Sequence, residues 1–505
     1  MTKPKSLLTW RAARWAVLAA AIPALWACNA RRLAKPEPAP QMQFNDLFQQ
    51  AINRNIDIIF MVDDSSSMTP IQQKLQAQFP AFMNVLKGLP GGLPNVHIGV
   101  VSSSMGAGRN PSIDHCPQGG DQGIFHSKPM DMTPGGPCTR AMLNPGQNFI
   151  INVNGQPNYT GDISDVFSCI ALLGDGGCGF EHQFESVLRA LGADGAPAPA
   201  QNANFLRQDA YLAVILITNE DDCSAPPDSD LFDSSSSTVT DPLGPLQSYR
   251  CNEFGHLCNG MKPPRQPQGE VDLSGTCVSA EDGRLLRVAD VTTAMKRLKA
   301  DPTKVLVAAI AGPDHPYKVN IGPSQVKGDP SMWPYVEHSC TQMEPNNDIT
   351  YADPSVRIQQ WINNFGGNGV FEDMCAPSFA PALMAIANTI GKKIGSPCVT
   401  GQVLDTTGAV WDGMTGQPDC TVVDHQTNTA GVVVDTTLPA CQPGQNMGAT
   451  PCWHLDAGGA ACPGAHAMGF NRPGAPVATD LNSSVSCSVL ACPPAGQMPR
   501  PAGCP

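Results

Sequence analysis

The sequence has little positive charge and few aromatic residues. Of its 505 residues only 15% are charged and 6% are aromatic, and the formal net charge is −13 at pH 7. Nucleic-acid binding depends on basic patches, so this balance argues against nucleic acid as a partner. The 48 glycines and 48 prolines indicate instead that much of the chain forms loops and turns.

Several catalytic and metal-binding motifs are also missing. The chain has no Gly-x-Ser-x-Gly elbow, no His-Glu-x-x-His helix, no Walker phosphate loop and no Cys-x-x-Cys pair. None of its 10 histidines lies at zinc-finger spacing from cysteines. A serine among Ser102–Ser104 could act as a nucleophile, but spacing identifies no base for it. We therefore expect a protein that is not an enzyme, with a secreted hydrolase as the alternative.

The N-terminus combines basic residues with a short apolar segment, 15–25, followed by Ala27 and Cys28. This pattern resembles a bacterial lipoprotein signal. The resemblance implies cleavage after Ala27, a lipid on Cys28 and a membrane tether made only by acyl chains. Asn29 after the cysteine favours the outer membrane of the cell envelope. An ordinary signal peptide or an uncleaved anchor is the alternative. The basic residues are Lys3, Lys5, Arg11 and Arg14.

Cysteine content supports export. The chain has 19 cysteines, and removing Cys28 leaves an even number that can pair as disulfides in an oxidising compartment. Pairing is not deducible from one sequence, although Cys169 with Cys178, and Cys251 with Cys258, are close enough to staple local loops.

The order of apolar patterns predicts the domain organisation. After the signal (1–27) and a Pro-rich tether (28–52), strand patterns alternate with helix patterns over 53–396. We predict strands at 56–62, 96–102, 211–218 and 305–310, and helices at 71–86, 181–191, 288–298 and 379–394. Long insertions near 103–161 and 219–286 interrupt them, and 397–505 is a Cys-rich, β-rich or irregular module. The predicted fold class is α/β, with a doubly wound, mostly parallel sheet.

The first predicted strand ends in oxygen-bearing side chains. The run from Ile56 to Val62 is followed directly by Asp63, Ser65 and Ser67. Ligands of open α/β sheets bind at the carboxyl ends of strands, and hard divalent cations prefer oxygen ligands. These three residues therefore form a candidate cation site. The alternative is that they only cap the next helix.

At this point the sequence resembles the von Willebrand factor A domain, whose metal-ion-dependent adhesion site opens with an apolar strand and Asp-x-Ser-x-Ser. The resemblance implies a Rossmann-like fold over 53–396. It also implies a divalent cation, Mg²⁺ first with Ca²⁺ or Mn²⁺ as alternatives, and a protein or peptide partner that contributes an acidic residue.

Two positions depart from the family pattern. Where the family has a threonine before a helix, this chain has Glu181, so either a carboxylate replaces the hydroxyl or this loop supplies no ligand. Where the family has an aspartate after the next buried strand, this chain has Asn219. Asp221 or Asp222 could then reach the cation directly or through water, or the run could be a solvated acidic turn.

These observations predict a lipid-anchored, extracytoplasmic binding or adhesion protein with a variant cation site. The metal residues are Asp63, Ser65, Ser67, Glu181, Asn219 and Asp221. The alternatives are the hydrolase and a structural envelope protein without a metal site.

Overall fold

The structure is a computed structural model. It describes residues 41–49, 53–89, 92–110, 113–128, 136–324, 330–345, 347–394, 398–399, 401–413, 416–427, 432–441, 450–457, 465–472 and 481–490. Cys28 and the predicted lipoprotein signal lie outside these residues.

The described residues contain seven α-helices and 23 strands. The helices are α1 (Thr69–Lys87), α2 (Ile163–Ile170), α3 (Gln183–Leu191), α4 (Tyr249–Gly255), α5 (Val288–Arg297), α6 (Val356–Asn363) and α7 (Ala380–Ile394). The first strands are β1 (Gln41–Gln49), β2 (Asn55–Val62), β3 (Asn95–Ser102), β4 (Met142–Leu143), β5 (Ile150–Val153), β6 (Gln156–Pro157), β7 (Tyr159–Thr160) and β8 (Tyr211–Ile217). The middle strands are β9 (His256–Cys258), β10 (Val271–Asp272), β11 (Cys277–Ser279), β12 (Val305–Ala311), β13 (Lys318–Pro323), β14 (Met332–Val336), β15 (Cys340–Met343), β16 (Ile349–Ala352) and β17 (Gly369–Asp373). The last are β18 (Cys398–Val399), β19 (Cys420–Thr427), β20 (Val433–Leu438), β21 (Cys452–Ala457), β22 (His466–Asn471) and β23 (Asn482–Leu490).

The largest sheet has seven strands in the order β17-β12-β8-β2-β3-β5-β6. β2 pairs in parallel with β3 and β8, and β12 pairs in parallel with β8 and β17. β5 and β6 add an antiparallel edge, so the sheet is mixed. Because β2, β3 and β8 run in the same direction, their carboxyl ends lie at one edge of this sheet.

Helices cover both faces of the mixed sheet. On one face α1, α2 and α7 pack against Ile58 and Phe60 of β2. On the other face α3, α5 and α6 pack against Ile59 and Met61. Alternate residues of β2 thus point into two separate apolar cores, which explains why the run shows no polar alternation.

Disulfides hold the segments between these elements. Seven disulfides connect described cysteines. The two local pairs suggested from the sequence, Cys169–Cys178 and Cys251–Cys258, are not among them, so those two pairings were wrong. Cys169 and Cys178 bond to more distant partners on separate elements, and so do Cys251 and Cys258. The pairs are Cys116–Cys178, Cys138–Cys169, Cys223–Cys251, Cys258–Cys277, Cys340–Cys375, Cys420–Cys487 and Cys441–Cys452. Such cross-links are typical of proteins from an oxidising, extracytoplasmic compartment.

The C-terminal region forms small antiparallel sheets around a core that includes Trp453 and Val485. One sheet has the order β1-β23-β19-β20, and another has the order β18-β22-β21. β1, which composition placed in the tether, pairs with β23 along all nine of its residues.

The predicted fold class is wrong for this chain. Instead of one doubly wound, mostly parallel sheet, the described strands form seven separate sheets, of which six are antiparallel and only one is mixed. Apolar patterns locate strands, but they do not say which strands pair. Glycine- and proline-rich turns favour local hairpins, whose strands pair antiparallel.

Among the described helices, none has the length and apolar content needed to cross a membrane.

Candidate functional site

Asp63 lies at the carboxyl end of β2 and is fully buried. Its backbone N–H donates to the carbonyl of Ile217 at 2.9 Å, which extends the pairing with β8 by one residue. Its Oδ1 accepts from the Ser65 N–H (2.8 Å) and the Ser103 hydroxyl (3.0 Å), and Oδ2 accepts from the Thr218 hydroxyl (2.7 Å). Burial raises the pKa of Asp63, and these hydrogen bonds partly offset the effect.

Two hydroxyls and an amide lie in a row beside this carboxylate. The Oγ atoms of Ser65 and Ser67 are 3.3 Å apart, and the Ser67 hydroxyl donates to Asn219 Oδ1 at 3.1 Å. The Asn219 Nδ2 is buried and has no hydrogen-bond partner among the described residues. The structure therefore brings together four sequence-predicted residues, which we call the cation corner: Asp63, Ser65, Ser67 and Asn219.

Helix capping does not account for these side chains. The N-cap of α1 is Met68, and no side chain makes a cap hydrogen bond there. Pro70 occupies the first turn, where its missing N–H leaves no intrahelical bond unmade. The oxygens of the corner are therefore not used to satisfy the N–H groups at the start of this helix.

Asp64 forms a second carboxylate next to the corner. Its Oδ1 accepts from the Ser103 and Ser104 hydroxyls at 3.2 and 3.1 Å. Burial, together with the charges of Asp63 and Asp121, raises the pKa of Asp64 to about 6. Gly177 lies so close that a Cβ at this position would overlap the Asp64 carboxylate.

Glu181 is 2% exposed, and its Oε1 has no hydrogen-bond partner among the described residues. Burial and the charges of Glu220 and Asp63 raise its pKa well above the ordinary value. Burial and the charges of Asp353 and Asp63 raise the pKa of Glu220 to about 8. Acidic side chains are thus concentrated next to the corner with little cationic compensation.

Asp221 is hydrogen-bonded through both oxygens. Oδ1 accepts from the N–H groups of Asp222 and Ile358, and Oδ2 accepts from the Arg357 N–H and His256 Nε2, both at 2.8 Å.

The neighbouring Asp222 pairs with the Arg357 guanidinium at 3.0 Å, and both side chains are fully buried. The acidic run after β8 is therefore a buried network rather than a solvated turn.

A hairpin of β15 and β16 borders the corner. Tyr351 contacts Ser67 through a side-chain hydrogen bond, and the His338 ring stacks on Tyr351 with centroids 4.1 Å apart. Met343 and Ile349 are cross-strand partners on the same hairpin and are 60% and 53% exposed.

Buried contacts hold this hairpin. Lys74 of α1 pairs with Glu344 at 2.5 Å, and Cys340 is bonded to Cys375. Asp373 lies near these two sulfurs, but both are used in the disulfide, so this group is not a thiolate metal centre.

Sequence reasoning missed several residues around the corner. Thr218 is the last residue of one predicted strand and Ser103 directly follows another, so position alone could have identified them. Glu220 was assigned only to an acidic turn. Asp353 and Tyr351 come from a distant hairpin and carry no local signal.

The serines considered as nucleophiles also lie here. Ser102 donates to Asp121 at 2.6 Å, and Ser103 and Ser104 donate to the carboxylates described above. Their hydroxyls therefore serve as donors to acids.

Comparisons with known proteins give little information about the fold or function of this chain. No family model matches the chain, and no curated protein matches it. Among solved structures, the pilus adhesin SpaC from Lactobacillus rhamnosus GG in an open conformation aligns with a TM-score of 0.30 and 12% identity, over 91% of this chain and 43% of that one. The pilus adhesin RrgA from Streptococcus pneumoniae aligns with a TM-score of 0.24 and 9% identity, over 89% of this chain and 58% of that one. This chain spans less than two thirds of either adhesin, and TM-scores this low do not establish a shared fold.

Proposed function

We propose that this protein is an extracytoplasmic binding protein that holds a divalent cation at the cation corner and uses it to engage a carboxylate of a protein or peptide partner. The observation that carries the proposal is the convergence of Ser65 Oγ, Ser67 Oγ and Asn219 Oδ1 beside the buried Asp63. The local resemblance of Asp63-x-Ser65-x-Ser67 to the adhesion site of von Willebrand factor A domains supports it independently of the fold class.

The oxygen spacing in the corner fits a shared cation. Mg²⁺ binds oxygen at about 2.0–2.1 Å and Ca²⁺ at about 2.3–2.6 Å, so adjacent ligands at right angles lie about 2.9 to 3.7 Å apart. The observed separations are 3.3 Å between the two serine oxygens and 3.1 Å from Ser67 to Asn219. The donor set contains hard oxygens only, which suits Mg²⁺, Mn²⁺ or Ca²⁺.

The residues of the corner have distinct parts in this proposal. Three hydrogen bonds orient Asp63 and favour its ionised form, which would balance part of the cation's charge. Ser65, Ser67 and Asn219 contribute uncharged oxygens. When bound, the cation would supply positive charge that attracts an acidic side chain of the partner. The corner itself contributes a single carboxylate, and the raised pKa values of the neighbouring Glu181 and Glu220 favour their uncharged forms at neutral pH, so part of the cation's charge would remain for the partner.

The β15–β16 hairpin would contact the same partner. Met343 and Ile349 form an exposed apolar pair, and Tyr351 on the same hairpin face connects that pair to Ser67. Exposed apolar side chains next to a polar site are typical of binding surfaces. A partner segment with an acidic residue near an apolar one matches this arrangement.

The N-terminal signal pattern supports a lipid on Cys28 as the membrane tether, with the outer membrane as the location. Replacing Cys28 with serine would then release the protein from the membrane fraction. A variant that stays bound to membranes would contradict the lipid tether without affecting the cation corner.

Cation binding is tested by thermal unfolding of the purified chain. A cation present at about 100 times its Kd stabilises the folded state by about 2.7 kcal/mol, or roughly 5 °C for a domain of this size. We expect this rise with Mg²⁺, Mn²⁺ or Ca²⁺ and its loss in Asp63→Asn. Asp114→Asn is the matched control, because Asp114 is an exposed acid outside the corner. An equal rise in both variants would contradict the proposal.

Partner chemistry is tested by selecting displayed random peptides on the immobilised chain with Mn²⁺. Selected peptides should contain Asp or Glu, and EDTA or Asp63→Asn should abolish their binding. Peptides without acids, or binding that EDTA leaves intact, would contradict a carboxylate ligand.

A further inference from the structure

Gln183 is the first residue of α3, and its fully buried side chain contacts Thr218, the residue that donates to Asp63. The Gln183 Nε2 donates to the Thr218 hydroxyl oxygen at 3.0 Å and to the main-chain carbonyl of Glu220 at 3.3 Å. The Oε1 of the same amide is buried and has no hydrogen-bond partner among the described residues. The side-chain hydrogen bonds of Gln183 in the described part of the chain are therefore made by its nitrogen.

The main-chain carbonyl of Glu220 fixes the orientation of this amide. A carbonyl oxygen accepts hydrogen bonds and cannot donate them, so the atom of the Gln183 amide that faces it must be the nitrogen. The opposite orientation would place two acceptor oxygens against each other. The Gln183 Nε2 is therefore a donor, and the Thr218 hydroxyl oxygen accepts from it.

The Thr218 hydroxyl has one proton to donate and two acceptors within reach. Its oxygen lies 2.7 Å from Asp63 Oδ2 and 3.1 Å from the Glu220 carbonyl oxygen. The same oxygen accepts from Gln183 Nε2 and, at 3.3 Å, from the Glu220 N–H, and Gln183 also donates to the competing carbonyl. Because the carboxylate is the closer acceptor and carries charge, the hydroxyl proton is directed to Asp63.

The start of α3 is held from two sides, which restricts the movement of Gln183. The His182 N–H donates to the Ser103 carbonyl at 2.9 Å, in the segment after β3. The Phe184 N–H donates to Asp222 Oδ1 at 2.9 Å, in the segment after β8, and this bond satisfies one of the donors that a helix N-terminus leaves unpaired. The Gln183 amide is therefore supported by the two segments that also contribute donors to Asp63.

The unsatisfied oxygen of Gln183 indicates that its nitrogen has a role. A buried acceptor without a partner destabilises a folded protein. An apolar side chain of similar length, such as methionine, would fill the same space without burying that acceptor. The advantage of an amide at this position therefore lies in the two hydrogen bonds that its nitrogen donates.

We propose that Gln183 is a positioning residue of the cation corner, which fixes Thr218 as a donor to Asp63 and so fixes the orientation of this carboxylate. The inference rests on the proposed function, because the orientation of Asp63 matters here for holding a cation. Hydrogen-bond partners of metal-binding side chains orient them, and losing such a partner weakens metal binding by about 10- to 100-fold. Gln183 does not bind the cation and acts through Thr218.

The test is a double-variant cycle on Mn²⁺ affinity, measured by isothermal titration calorimetry of the full-length chain. Thr218→Val removes the hydroxyl and should weaken Mn²⁺ binding by about 10- to 100-fold. Thr218→Ser keeps a hydroxyl and should recover most of that loss. Gln183→Met keeps the length of the side chain and should weaken binding by about tenfold. Combined with Thr218→Val, it should change the affinity by less than about twofold, since its route to Asp63 is already gone.

A matched control and three outcomes decide the inference. Gln247→Met is the control, because Gln247 Nε2 also donates to a main-chain carbonyl, that of Pro334, outside the corner. Equal Mn²⁺ affinities of the native chain and Gln183→Met would overturn this inference and leave the proposed function intact. A loss of the same size with and without Thr218→Val would also overturn it, because Gln183 would then act by another route. A native chain that binds no Mn²⁺ would overturn the proposed function together with this inference.

If Gln183→Met does not fold, neutron diffraction from a deuterium-exchanged crystal of the native chain decides. We expect the Thr218 hydroxyl deuteron to lie on the line to Asp63 Oδ2. A deuteron directed to the Glu220 carbonyl oxygen would overturn the inference, whatever the affinity of the chain for cations.

Discussion

Asp57 lies in the middle of β2 and is fully buried, and its charge is balanced by residues far away in the sequence. Its oxygens accept from the Arg207 N–H and Nε, both at 2.8 Å, and from Lys299 Nζ at 3.3 Å. The side chains of Asp57 and Lys299 have no exposed surface. Replacing Asp57 with asparagine removes the negative charge and leaves the buried Lys299 ammonium with the Arg207 carbonyl as acceptor but without its charged partner.

Breaking a buried pair in this way costs about 3–5 kcal/mol. At roughly 2 °C per kcal/mol for a domain this large, Asp57→Asn should lower the Tm by about 6–10 °C. The assay is thermal unfolding followed by circular dichroism under non-reducing conditions.

The double variant Asp57→Asn/Lys299→Met removes the unpaired ammonium as well, so it should be more stable than Asp57→Asn alone. A Tm loss under about 2 °C in the single variant, or a double variant no more stable than the single one, would refute this reasoning.

Three further predictions concern other contacts. Gly177→Ala should destabilise the protein by about 1–3 kcal/mol because the added Cβ would overlap the buried Asp64 carboxylate. Gly179→Ala is the control, since a Cβ there meets no atom and the change should be near neutral. Equal urea midpoints for the two variants would contradict this account. Removing the Cys223–Cys251 disulfide by double alanine substitution should lower the free energy of unfolding by about 3–4 kcal/mol for a 28-residue separation, as measured by urea unfolding. An unchanged urea midpoint would contradict a stabilising role for this disulfide. Burial lowers the pKa of Lys299, so the unfolded chain retains this proton at pH values where the folded chain begins to lose it. The stability contributed at this position should therefore rise as the pH approaches the ordinary lysine pKa of about 10.4. The Tm of the native chain relative to Lys299→Met should increase from neutral to alkaline pH, and a decrease would show that the sign is wrong.

Much of the secondary structure was predictable from local patterns. The strands predicted at 56–62 and 211–218 are β2 and β8, and the helices predicted at 71–86 and 379–394 are α1 and α7, each within a few residues. Covered strands and amphipathic helices impose strong periodicities on short segments, so they can be recognised without knowledge of the partners.

The arrangement of these elements was not predictable in the same way. Whether two strands pair depends on chain segments that can be more than a hundred residues apart, and the two failed disulfide predictions have the same cause. Asp57 illustrates this for a single side chain, since its partners Arg207 and Lys299 are 150 and 242 positions away. An acid inside an apolar run gives no indication of which cation will balance it.

The candidate site contains residues that local sequence patterns predict and residues that they do not predict. Asp63, Ser65 and Ser67 are neighbours in sequence, so their spacing identified them, whereas Asn219 was identified by the family resemblance at the end of the next buried strand. The acids next to the corner come from the segments before α3, after β8 and after β16, namely Glu181, Glu220 and Asp353. A site assembled from three separated segments leaves no single motif to recognise.

The most direct test of the account is a crystal of the full chain soaked in Mn²⁺, with anomalous diffraction recorded at the manganese edge. We predict an anomalous peak within about 2.5 Å of the Ser65 and Ser67 hydroxyl oxygens, with Asp63 and Asn219 around it. An anomalous map without a peak at that corner, in crystals saturated with Mn²⁺, would contradict the central claim.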